Sequence, residues 1–218
     1  MASPDHPSDA TDAPVVVAGG GRRVRSPWRT ALEWVFVVLG AVLVALGIRT
    51  FVAQAFYIPS ESMEPVLATG DRVIVDKLTY GPDDIQRGDV IVFAKPPQAT
   101  QDGVADLIKR VVGLPGETLV IDDGKVYIDG ALLEEPYLPP GTFTSQGGGT
   151  PQPSSTTVGP RCGRSDPCVI PEGHLFVMGD NRSNSKDSRW PDVGYVSESQ
   201  LVGRAVWRVW PIDRIGGL

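Results

Sequence analysis

The 218 residues suffice for one globular domain with a real core, and 25 Gly with 20 Pro favour many turns and short strands over a helical bundle. The formal net charge is −6 and no basic stripe is interleaved with aromatics, so nucleic-acid binding has no electrostatic footprint.

In chain order, residues 1–27 are rich in Ser, Asp, Pro, Ala and Gly and read as a disordered cytoplasmic tail. Arg22, Arg23, Arg25 and Arg29 then precede an uncharged apolar run, residues 34–48, bounded by Glu33 and Arg49. A spanning helix needs about 20 residues, which a segment over 28–53 supplies when Glu33 and Arg49 snorkel to the interfaces. Ser26-Pro27 is a good helix start, an N-cap followed by proline at the first helical position. The arginines keep the N-terminus cytoplasmic and place residues 54–218 outside. A second reading is a cleavable secretory signal ending at Ala53-Gln54-Ala55; the long polar leader and Arg49 speak for an uncleaved anchor.

Next comes Pro59-Ser60-Glu61-Ser62-Met63-Glu64-Pro65. Proline fixes its own φ and restricts the residue before it, so this stretch is stiff. A stiff serine pair suits a nucleophile that needs a defined backbone, and it equally suits a proline-punctuated linker.

Strands are expected at 72–76, 90–93, 107–112, 175–178 and 202–210. A hairpin is expected over 119–128 through Asp122-Asp123-Gly124, and a long flexible loop over 138–160. The fold class is therefore mainly β, of barrel or sandwich type, after a single N-terminal transmembrane helix. Cys162 and Cys168 are the only cysteines, and outside the cytoplasm a disulfide is the default. With only His174 nearby there are too few ligands for a metal site, and no cofactor is expected.

A serine nucleophile needs a base. His6 lies in the tail, and His174 sits in a turn before a strand. Lys109 alternates with Leu107 and Val111, so its neighbours are apolar and desolvation lowers its pKa; a strand-edge lysine with its amine in water fits the same pattern. Lys77 is followed by a turn and reads as exposed. Residues 179–189 form a polar loop that reads either as hydrated Asx and Ser turns or as a wall of an active site.

Taken together, these segments resemble a bacterial type I signal peptidase, a membrane-anchored Ser/Lys protease. The resemblance runs from the anchor to about Pro211, through the serine box, residues 88–93, residues 109–116 and residues 179–189 in the family order. It implies Ser62 as nucleophile, Lys109 as general base, Ser60 as oxyanion donor and Ser185 as the group that orients the lysine. It implies a structural ion pair between Asp187 and Arg189, and a cleft lined by Phe56, Ile58, Pro59, Met63, Leu67, Asp106, Leu107 and Ile108. Residues 114–177 correspond to a variable β-rich insertion. Glu61 and Val66 stand where glycine and threonine are common, and no catalytic group is lost. The implied partners are signal peptides of exported pre-proteins and the lipid bilayer, with the chain acting as a monomer in the plasma membrane. Cleavage is expected after small residues at −1 and −3. The competing classes are a membrane-anchored or secreted β module that only binds, and a self-cleaving Ser/Lys repressor-type protease.

Overall fold

The computed structural model describes residues 27–51, 53–95, 105–147 and 162–218. The expected tail, apart from Pro27, and residues 148–160 of the expected loop lie outside them. Contacts divide the chain into two units, Met1–Leu43 and Val44–Leu218. Helix α1, Pro27–Phe51, starts at the proline that pre-sets helical φ and carries exposed apolar side chains from Trp34 to Leu46. Among the described residues no helix is long and apolar enough to cross a membrane; the described side chains of α1 are those of Trp28 and residues 31–47.

The chain then turns to antiparallel strands: β1 (Ala53–Tyr57), β2 (Arg72–Asp76), β3 (Val90–Ala94) and β4 (Asp106–Gly113). β5 (Thr118–Asp122), β6 (Lys125–Ile128), β7 (Ala131–Leu132) and β8 (Cys168–Val169) form a four-stranded sheet in the order β7-β6-β5-β8. β9 (His174–Met178), β10 (Val196–Ser197), β11 (Leu201–Trp210) and β12 (Gly216–Gly217) complete an eight-stranded sheet. Its order runs open, β1-β2-β11-β3-β4-β9-β10, with β12 beside β11, so the strand pairing gives two sheets rather than a closed barrel.

The expected hairpin is present, and Asp123 and Gly124 both take positive φ as a two-residue type I′ turn demands. β1 was not expected: Ala53, Gln54 and Ala55 pair with Asp76, Val75 and Ile74. That stretch is the start of a hydrogen-bonded strand.

The described core falls into three clusters. One joins the smaller sheet to β9 through Leu119, Ile121, Val126, Ile170 and Phe176, together with Cys162 and Cys168, which are disulfide-bonded. A second packs Ile58, Met63 and Leu67 on Val73, Val75, Val90 and Val92. The third gathers Tyr80, Ile91, Phe93, Val111, Leu175 and Val177. Val90 and Val92 serve one cluster, Ile91 and Phe93 another, so β3 is buried on both faces and reads as a continuous apolar run.

Candidate active site

The proline-flanked serines form a turn anchored from below. Ile58 N donates to Asp71 O (2.9 Å) and Gly70 N to Ile58 O (2.9 Å), which extends the β1–β2 pairing to the edge of the turn. A 3-10 helix follows at Glu61–Met63. Neighbouring residues of so tight a turn point in different directions: Met63 is fully buried in the core, while Ser62 faces a cavity of about 480 Å³. Ser60 and Ser62 Oγ are 3.2 Å apart. The following turn is tied by Ala68 N to Asp71 Oδ2 (2.9 Å) and by Arg208 to the Val66 carbonyl (2.6 Å).

β4 supplies the buried lysine. Lys109 is 3 % exposed and its Nζ donates to Ser62 Oγ at 2.8 Å and to the Ile108 carbonyl at 2.8 Å. Burial lowers its pKa to about 8, against the opposing pull of the Asp187 and Asp180 carboxylates.

The loop over 179–189 closes the site from the side. Asp187 and Arg189 form the expected ion pair through two contacts, Nε to Oδ1 at 2.8 Å and Nη2 to Oδ2 at 2.7 Å. Asp187 also accepts from Gly179 N (3.0 Å), which holds both ends of the loop together. A Cβ on Gly179 would lie 2.3 Å from both Ser185 Oγ and the Ser62 carbonyl, so only glycine fits. Asn181 N donates to that same carbonyl (3.1 Å), coupling the loop to the serine turn.

Ser185 is buried beside the site, yet its Oγ has no hydrogen-bond partner, and the amine of Lys109 is bound by Ser62 and Ile108 instead. Of the expected cleft residues, Pro59 and Leu107 line the cavity, but Ile58, Met63, Leu67 and Ile108 are buried in the cluster beneath it with Phe56 packed against them. Asp106 is exposed at the start of β4. Apolar character sends the four buried side chains inward. The cavity wall is more polar than expected, with Glu61, Thr69, Asn184 and Lys186. His174 bonds the Glu172 carbonyl through Nδ1 (2.9 Å), and Lys77 reaches Gln54 at an exposed position (3.3 Å).

Sequence reasoning missed a second set of charges. Arg110 is clamped by Asp180 through two contacts, 2.8 and 2.7 Å, and lies 4.1 Å from the Tyr137 ring centroid. Arg182 pairs with Glu135 and bonds Thr144 (2.8 Å), fastening the insertion to the loop. Their separations of 70, 47 and 38 residues leave no local pattern to read.

The signal peptidase (peptidase S26) family matches residues 31–210. The chain belongs to the signal peptidase family. It is similar to signal peptidase I of Leptolyngbya laminosa, 44% identical over 183 residues, covering 82% of this chain and 79% of that protein. It is also similar to the probable signal peptidase I-2 of Synechocystis, 38% identical over 191 residues, covering 87% and 78%. The probable signal peptidase I of Mycobacterium leprae is 33% identical over 264 residues, covering 98% and 88%. The chain is accordingly a signal peptidase I enzyme that acts on pre-proteins bearing signal peptides, which sets aside the pure binding module and the repressor-type protease. Within the signal peptidase match lie the serine turn, Lys109 and the loop over 179–189.

Proposed function

We propose that this signal peptidase cleaves through a Ser62–Lys109 dyad and is held to the plasma membrane by the helix near its N-terminus, with the catalytic domain outside. The observation that carries the reading is the 2.8 Å contact between Lys109 Nζ and Ser62 Oγ at a lysine whose burial favours the neutral amine. Neutral Lys109 takes the Ser62 proton as Oγ bonds to the scissile carbonyl carbon. The resulting oxyanion accepts from Ser60 Oγ and from the Ser62 backbone N–H, and the ammonium passes its proton to the departing amine as the C–N bond breaks. Lys109 then deprotonates water, which attacks the acyl-enzyme and frees Ser62. Asp187 and Arg189 brace the loop that backs the lysine, and Ser185 orients the amine once substrate draws Ser62 away.

The substrate adds as an extended strand beside Pro59 and Leu107, with small residues at −1 and −3. The uncharged run in α1, the arginines before it and the exposed Trp207, Trp210 and Ile212 support attachment to a bilayer with the N-terminus cytoplasmic. The disulfide is consistent with an exported domain. Pre-protein cleavage by wild type, Ser62→Ala and Lys109→Ala tests the reading: both variants are expected to be inactive, and undiminished cleavage by either removes that residue from the mechanism.

A further inference from the structure

A second cavity, of about 460 Å³, is lined by Glu64 and Pro65 of the serine turn and by residues 180–183 of the loop, and is left unused by the chemistry above. That volume is in the range of ligand sites. Its walls include Glu64, two residues beyond Ser62, and Asn181, whose N–H holds the Ser62 carbonyl at 3.1 Å. Glu61, which lines the first cavity, links the two: it accepts from Asn181 Nδ2, a wall of the second, through its carbonyl (3.2 Å) and from Asn184 Nδ2, a wall of the first, through its carboxylate (3.2 Å). Pro65, Pro139 and the 66 % exposed Phe143 give the cavity an apolar side.

Its charges are mostly spent. Asp180 is engaged by Arg110 and Arg182 by Glu135, so neither is free to bind an ionic ligand. Glu64 has no ion-pair partner among the described residues. The Phe143 ring is seated on the hairpin turn of the insertion: a Cβ on Gly124 would be 2.2 Å from it. The ring is therefore presented toward the cavity by a rigid turn.

We infer that this cavity binds the segment of the pre-protein that follows the cleavage site, and that Phe143 and Glu64 select for apolar or basic over acidic side chains there. The inference rests on the dyad reading, because a peptide bond cut at Ser62 must have chain on both sides of it. Residues before the bond lie along Pro59 and Leu107, so residues after it leave past Glu61 toward Glu64 and Asn181. At about 3.3 Å per extended residue, passing Glu61 brings roughly the third to fifth residue after the bond into the cavity. Apolar walls and one uncompensated carboxylate repel an acidic residue and accommodate a leucine or a lysine.

The test uses the full chain in detergent and two peptides with the same residues before the bond, one ending directly after it and one continuing for six residues. Wild type is expected to cleave the longer peptide with kcat/KM at least tenfold higher. Asp at the third to fifth positions should abolish that gain and Lys should keep it, while Glu64→Gln should relax the discrimination. Phe143→Ala should bring the long-to-short ratio close to one. Leu132→Ala, an exposed apolar residue of the same insertion outside this cavity, should leave the ratio as it is. Should Phe143→Ala lower the melting temperature below the assay range, the wild-type length and charge series decides alone. Cleavage of both peptides with no gain from length, or a gain indifferent to Asp, overturns the subsite. Cleavage of neither peptide overturns the dyad reading and the subsite with it.

Discussion

Lys109 and Arg110 are consecutive residues of one strand, both buried, at 3 % and 6 % exposure, and they meet opposite environments. Their side chains leave β4 in opposite directions. Arg110 finds a carboxylate that grips it twice, the Gly88 carbonyl at 2.7 Å and an aromatic face. Lys109 finds a hydroxyl and a carbonyl. A guanidinium cannot lose its proton, so its burial is tolerable only with a full set of acceptors. An ammonium can, and where no carboxylate bonds it directly, desolvation pushes it toward the neutral amine. The strand thus carries a paired, permanent cation and a titrating one, side by side.

Replacing each by methionine separates the two roles most sharply. Lys109→Met should lose about 10⁴-fold in cleavage, the upper range for a lost general base. Its stability should not fall. Below pH about 8 wild type bears the penalty of a buried ammonium, so the variant should be the more stable at pH 7. Between the folded pKa and 10.5 the unfolded chain binds the extra proton, so wild-type stability rises with pH there and the difference should narrow by pH 9. Urea midpoints at the two pH values measure this. Arg110→Met should do the reverse, stranding the Asp180 carboxylate and lowering stability by about 3–5 kcal/mol. An Arg110→Met enzyme with a wild-type urea midpoint would break the comparison.

Ser60→Ala leaves the dyad intact and removes one donor to the oxyanion, for an expected loss of about 10²- to 10³-fold in kcat. KM should change little, since the donor acts on charge that develops only during attack. The smallest effect belongs to the disulfide. Cys162→Ser with Cys168→Ser opens a short loop and should lower stability by about 2 kcal/mol, read from thermal unfolding, with kcat/KM retained.

How much of this could be read beforehand depended on whether the signal was local. Gly88-Asp89 before Val90 and Asp123-Gly124 between alternating strands are turn chemistry, and the strands beside them lie where the sequence puts them. β1 carries no such punctuation: Ala53–Tyr57 follows an apolar helix with only Val52 between them, and its strand character comes from pairing with β2. At the site, Ser62, Lys109, Asp187 and Arg189 stand in the stretches that carry the family resemblance. Which side of the turn each apolar residue faces was not, because Met63 and Ile58 are directed by the core beneath them. The Arg110–Asp180 and Arg182–Glu135 pairs are set by tertiary approach alone. The lone Ser185 hydroxyl is likewise a property of packing that no spacing encodes.

Single-turnover cleavage across pH 5–10 asks whether Lys109 acts as a neutral base. The acylation rate is expected to climb tenfold per pH unit and to level off above pH about 8, where the amine is mostly neutral. A rate that is flat down to pH 5 would contradict it, since at that pH the buried amine is protonated and has no room for the Ser62 proton.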